Sequence, residues 1–214
     1  LEGSRLQRGY LGHLVKSRAR LSEVRYNLLA DGPEGSASYE LEFPEAGIAV
    51  VTGNVIAQSA ASGNPVVIGY GAEAGNRPVN RLFLSHNTLI NKGIRPAWFV
   101  RAWTDKLPAG TEIVTRNNLT VGFGLFTLLL PGDHRGNYML PPGAIDPDKL
   151  ELAPAPDSWL RGRLSRAETL GGTELAPRAE FAFPAGTQPL SQPPVWTPGA
   201  FQGSGVALHR PADR

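Results

Sequence analysis

Two cations two positions apart, Lys16 and Arg18 in the segment HLVKSRA, are the residues of this chain whose types and spacing most directly invite chemistry. If that segment is a strand, side chains alternate across it and both cations leave the same face. A guanidinium placed there can neutralise a carboxylate and acidify the C–H beside it. An ammonium whose pKa is lowered toward neutrality can then remove that proton. Arg18 moves Lys16 in this direction. Glu42, expected in register with Lys16 one repeat later, opposes it by favouring the charged ammonium, and the plain alternative is a surface pair that contributes little. A third cation, Arg101 in WFVRAW, occupies an equivalent outward position close to Trp103. Tyr70, flanked by Gly69 and Gly71, turns inward on strict alternation and leaves a flat outer patch beside Trp103.

Other chemistries find less support. Glu40, Glu42 and Glu73 could offer oxygens to a hard cation, but they are spread over two repeats without a ligand-dense motif and read as solvated surface. The histidines His13, His86, His134 and His209 lack zinc-site spacing, and no metal is expected. Nucleophile-elbow, Walker and dinucleotide-binding strings are missing, and the absence of cysteine excludes disulfides and thiolate sites. The 21 basic and 19 acidic residues are interspersed, which argues against a dedicated nucleic-acid or membrane surface. The longest apolar run, Leu125 to Leu130, is strand-sized rather than membrane-spanning.

The elements that must hold these residues are repeats. EVRYNLL, VVTGNVI, LFLSHNTLI and IVTRNNLT centre on Asn27, Asn54, Asn87 and Asn117, at intervals of 27, 33 and 30 residues. An apolar residue stands three before each asparagine (Val24, Val51, Leu84, Val114) and another two after it (Leu29, Ile56, Leu89, Leu119). Between them lie strand-like pieces beginning at His13, Tyr39, Val66, Trp98 and Phe126. Their third positions, Val15, Leu41, Ile68, Val100 and Leu128, are all aliphatic and form a core column. Their first positions are read as inward as well, His13 among them, and their second and fourth as outward.

Gly-, Pro-, Asn- and Ser-rich linkers supply the turns, and no segment carries a helical period. A fixed period of this size built on strands predicts a solenoid. The fold class is all-β, a right-handed parallel β-helix of about five coils, the hand following the general preference of parallel crossovers. Each asparagine suits a left-handed corner and can bond its counterpart one coil away, a structural rather than catalytic role. Residues 1–150 are read as coils and 151–214, rich in Pro and Gly, as an irregular C-terminal wrap covering the last of them. Short strands are expected at Ala179–Phe183 and Gly205–Leu208, with Phe201 of PGAFQG as an anchor. Coils preceding Leu1 are also expected, the chain being read as the C-terminal part of a longer solenoid.

The strings GHLVKSRA, GNVIAQ, NPVVIGYGAEAG, HNTLIN and PGAFQ resemble bacterial right-handed parallel β-helix repeat proteins of the pectate-lyase-like superfamily. The resemblance runs from about residue 10 to 202. It implies a groove along one outward sheet for an acidic polysaccharide, and an extracellular or periplasmic location. It also implies a lyase or epimerase reaction on uronate residues, with Lys16 as base and Arg18 on the carboxylate. Arg101, Trp103 and Glu42 would complete the substrate contacts. The dense Asp cluster that many pectate lyases use for calcium is missing, so no cofactor is expected. The alternative is a non-catalytic β-helix, a glycan-binding or surface structural module.

Overall fold

Segments of a few residues rich in Val, Ile, Leu and Phe, separated by Gly-, Pro- and Asn-rich corners, are too short to bury themselves. Each is buried by its counterparts in neighbouring repeats. The computed structural model describes residues 1–73 and 77–203, and in it these segments stack in parallel. The first coils contain β1 (Arg5–Leu6), β2 (His13–Lys16), β3 (Leu21–Arg25), β4 (Leu28–Ala30), β5 (Tyr39–Phe43), β6 (Ile48–Thr52) and β7 (Val55–Gln58). There follow β8 (Val66–Tyr70), β9 (Arg81–Ser85), β10 (Thr88–Asn91), β11 (Ala97–Ala102), β12 (Glu112–Arg116) and β13 (Leu119–Val121). The last coil holds β14 (Gly124–Leu125), β15 (Asp133–Arg135) and β16 (Tyr138–Leu140).

Every third strand pairs, giving three sheets: β2-β5-β8-β11-β14, β3-β6-β9-β12-β15 and β1-β4-β7-β10-β13-β16. All of these pairings are parallel, so YELEF and AVVTG do not form a hairpin, and the fold is a parallel β-helix. Inside it, Val15, Leu41, Ile68 and Val100 stack in register as the column pattern requires. Leu128 does not continue that column. Pairing ends at Leu125, which lies under Trp98, and Leu128 is 69% exposed. Phe126 and Leu130 turn in to close the core instead.

The asparagine ladder also differs from the expected one at its fourth rung. Asn27, Asn54 and Asn87 each donate from the backbone N and from Nδ2 to Oδ1 of the next asparagine, and Asn87 bonds Asn118 rather than Asn117. Asn118 then bonds Asn137. With this shift Thr115, not Val114, follows Leu84 in the inner column. The left-handed conformation belongs to the residue before each ladder asparagine: Tyr26, Gly53, His86, Asn117 and Gly136 have φ between 51° and 68°. Asn117 therefore fills the corner and Asn118 the ladder.

Strict alternation fails in the first sheet. Pairing there matches first and third positions and skips the second, as in His13 with Tyr39 and then Val15 with Leu41. A kink at this point turns both second and third positions inward, so Val67 and Phe99 join Ile68 and Val100 in the core. The first positions His13, Tyr39 and Trp98 stay half-exposed and outside. Glu40 occupies a second position and is consequently buried, not solvated: neither carboxylate oxygen has a partner. Burial, and to a lesser degree the negative charge of Asp31, raises its pKa well above the carboxylate range.

A native state that keeps Glu40 protonated binds more protons than the unfolded chain. Its contribution is therefore greatest below about pH 4 and is lost as pH rises toward the elevated native value. Replacing Glu40 by leucine is expected to stabilise the protein at pH 7 by about 1–3 kcal/mol, the cost of an unsatisfied buried polar group. Urea unfolding from pH 4 to 8 checks this. The variant should also lose the part of the pH slope that falls in this direction, and a variant less stable than wild type at pH 7 would contradict the burial argument.

After Leu140 the chain runs through a short 3₁₀ turn (Pro147–Lys149) and two small antiparallel pairs. These are β17 (Thr169–Leu170) with β18 (Thr173–Glu174), and β19 (Ala179–Phe181) with β20 (Thr187–Pro189). This wrap lies along the side of the solenoid and buries the outer faces of two sheets. Ile145, Leu152, Leu160, Phe181 and Ala200 cover Leu28, Val55, Ile90 and Leu119. Ala167, Leu175, Ala176 and Trp196 cover Val50, Phe83 and Val114. The fully buried aromatic anchors are Trp196 and Phe181, while Phe201 is half-buried at the margin. The strand expected at Gly205–Leu208, and His209, lie outside the described residues.

Candidate functional site

Because the wrap covers the outer faces of two sheets, the remaining one, β2-β5-β8-β11-β14, is left open. Among the described residues, nothing after Leu140 shares a hydrogen bond, an ion pair or a hydrophobic cluster with it. Its outward positions are the first and fourth columns of the repeat. The first holds His13, Tyr39, Val66 and Trp98, and the fourth Lys16, Glu42, Gly69 and Arg101.

The aromatic side chains make a platform. The rings of His13 and Tyr39 stack at 5.0 Å with an interplanar angle of 3°. Gly69 is what brings the next ring in: a Cβ there would stand 3.1 Å from Glu42 Cγ, 3.3 Å from Tyr39 Cε1 and 3.4 Å from Trp103 Cζ3. A Cβ there would press these three side chains apart by a few tenths of an ångström, so glycine suits their close meeting over one spot. The Arg101 guanidinium lies 4.8 Å from the centre of the Trp103 ring. Beneath the patch Tyr70 points inward, as alternation predicts, and its hydroxyl donates to the Gly47 carbonyl at 2.6 Å.

Beside the platform, charges alternate in a chain. Glu42 Oε2 is 2.8 Å from His13 Nε2 and 3.0 Å from Lys16 Nζ. Lys16 Nζ also reaches Glu73 Oε1 at 3.3 Å, and Arg18 Nη2 donates to Glu73 Oε2 at 2.6 Å. Glu45 lies between Arg18 and Arg77, 3.6 Å and 2.6 Å away. The strand ends at Lys16, so Arg18 stands in the corner beyond it, and the two cations are brought together by Glu73 rather than by a shared strand.

These pairings set the charge states. The hydrogen bond to Glu42 first, and the contact with Glu73 after it, raise the Lys16 pKa above that of a free lysine. Arg18 and then Lys16 hold the Glu73 carboxyl below its usual range. Desolvation lowers the His13 imidazole, opposed by the Glu42 carboxylate. Lys16 as held here is a charged donor, the opposite of what a general base needs. Glu40 is buried away from Glu42 and Glu73. Glu42 too is buried rather than solvated, held between His13 and Lys16, and Glu73 is engaged by Lys16 and Arg18. Among the described residues no cluster of three or more His, Cys, Asp or Glu is arranged to hold a metal ion.

Lys16, Glu42, Arg101 and Trp103 thus share one face, with Arg18 at its edge. Sequence reasoning missed His13, Tyr39 and Trp98, which it assigned to the interior. The available signal was their large, partly polar ring character in a column beside third positions, Val15, Leu41, Ile68 and Val100, that already supply an aliphatic stack. No family model, curated protein or solved structure matches this chain.

Proposed function

We propose that the open sheet is a carbohydrate-binding face and that the chain is a non-catalytic β-helix module for an acidic, uronate-containing polysaccharide. The observation that carries this reading is the conjunction of the open sheet with the platform of Tyr39 and Trp103 over Gly69. Flat aromatic rings offer apolar area to a sugar ring at low conformational cost. Arg101, which makes no ion pair among the described residues, supplies a cation for a uronate carboxylate. The resemblance of strings such as GHLVKSRA and GNVIAQ to pectate-lyase-like β-helix proteins, and with it an extracellular or periplasmic location, belongs to the same reading.

A lyase or epimerase is the second reading, and one observation favours it. Arg18 and Lys16 meet at the Glu73 carboxylate, so a uronate carboxylate held there by Arg18 would bring its neighbouring C–H close to Lys16. The raised Lys16 pKa is why binding is preferred over turnover.

Calorimetric titration with oligomers of several uronates tests the proposal. Trp103→Ala should weaken binding at least about tenfold, the scale of an aromatic hot spot. Arg101→Ala should weaken it and flatten its salt dependence. No ultraviolet absorbance from unsaturated uronates should develop. Absorbance that rises with wild type and not with Lys16→Ala would replace this reading with the lyase, and affinity unchanged in Trp103→Ala would remove the site from this face.

A further inference from the structure

The wrap is fastened to the coils through a buried histidine that must accept a hydrogen bond. His86 sits at the left-handed corner between β9 and β10, its backbone N donating to Arg116 O at 2.9 Å. Its ring is fully buried against Trp196 of the wrap, with centroids 5.1 Å apart. Asn117 Nδ2 lies 3.1 Å from His86 Nε2 and also donates to the Ser165 carbonyl of the wrap at 3.1 Å. That second bond fixes the amide group facing His86 as a donor, so Nε2 can only accept. On the other side, Nδ1 faces the wrap residues Thr197, Gly199 and Gln202, the last at 3.2 Å.

Among the described residues no carboxylate touches the ring. The charged groups of the elements packed around it are otherwise engaged. Arg116, beside Asn117, bonds Asp133 and Glu168, and Glu180 accepts from the backbone N of Gln202.

We propose that residues after Leu140 form a strap that acid releases: protonating His86 puts a donor against the Asn117 amide and undocks the wrap from coils that stay wound. Docking would thus cover or expose the outer faces of two sheets according to pH, with the neutral histidine as the latch. The energetics agree in direction. Burial lowers the His86 pKa to about 3. A depressed value means stability that is complete above the ordinary imidazole pKa and is lost as pH falls through the window down to about 3. Between pH 7.5 and pH 5 the docked-to-released ratio should fall about thirtyfold, taking about 6.5 for the released imidazole. Asp133 and Glu168 have carboxyls held below their ordinary values by Arg116, among other contacts, and remain charged in this window.

The chain has no cysteine, so single thiols can report. Ala200→Cys places one under the strap and Ala49→Cys one inside the coils, both at positions now buried. Labelling rates, normalised to a free thiol at each pH, should rise about thirtyfold at the first site between pH 7.5 and 5 and stay flat at the second. His86→Asn, a residue that tolerates the positive φ, should abolish the rise. Gln202→Glu places a carboxylate beside the ring at the loss of the bonds that Gln202 Nε2 gives the Thr197 and Gly199 carbonyls; it favours the imidazolium in the docked state and should reduce the rise several-fold. A rise unchanged in Gln202→Glu or His86→Asn, no rise at all, or equal rises at both thiols would overturn the proposal.

Discussion

Leu41→Asp is expected to prevent folding at neutral pH, whereas Leu128→Asp should leave stability within about 0.5 kcal/mol of wild type. Sequence periodicity placed both leucines in the same core column. In the structure Leu41 is fully buried between Val15 and Ile68, and Leu128 is mostly exposed beyond the last paired residue. An aspartate at position 41 would lie in an aliphatic stack and has to be neutralised or expose the column to water, at a cost of several kcal/mol. That is comparable with the whole stability of an ordinary domain, about 5–15 kcal/mol. Circular dichroism and urea unfolding of the two variants make the comparison. A folded Leu41→Asp with the melting temperature of wild type would refute the column, and an unfolded Leu128→Asp would refute the end of the solenoid.

Asn87→Ala should cost about 3–5 kcal/mol, summing the loss of hydrogen bonds and the stranding of buried partners at roughly 1–3 kcal/mol each. Asn87 is fully buried in the middle of the ladder. Its Oδ1 accepts from the backbone N and Nδ2 of Asn54, and its Nδ2 donates to Asn118 Oδ1 and the Val51 carbonyl. Alanine leaves the Asn54 N–H and the Val51 carbonyl without these partners in a space that water does not reach. Asn117→Ala acts on a different element: it removes the donor to His86 and Ser165 and should loosen the wrap while leaving the ladder whole. Equilibrium unfolding of the two variants separates them, and a loss below about 1 kcal/mol for Asn87→Ala would mean that the ladder is not a stabilising element.

The coils were legible in the sequence because a column one residue wide repeats every coil, and Val15, Leu41, Ile68 and Val100 advertise it. The errors have physical causes. IVTRNNLT contains two adjacent asparagines, and spacing alone does not tell which one turns the corner and which one bonds its neighbour. The run LFTLLL looks like a strand, but the chain leaves the sheet after Leu125 to close the core with Phe126 and Leu130. Glu40 was read as surface because alternation was assumed through a kink that only three-dimensional pairing reveals. Lys16, Arg101, Glu42 and Trp103 could be placed on one face because they follow the repeat. The pairing of Lys16 and Arg18 with Glu73, 57 and 55 residues away, crosses coils and could not be read from local spacing. The same holds for the latch at His86, whose partner Gln202 is 116 residues distant.

The central claim is that the open sheet is where a polysaccharide binds. The four tryptophans report on it separately: Trp98 and Trp103 belong to the open sheet and its edge, Trp159 and Trp196 to the wrap. Fluorine NMR of the full chain labelled with 5-fluorotryptophan, titrated with a uronate oligosaccharide, reads all four at once. The account predicts saturable shifts of the Trp103 and Trp98 resonances with Trp159 and Trp196 unmoved. Movement of Trp159 or Trp196 alone, or no movement of any resonance at millimolar ligand, would contradict it.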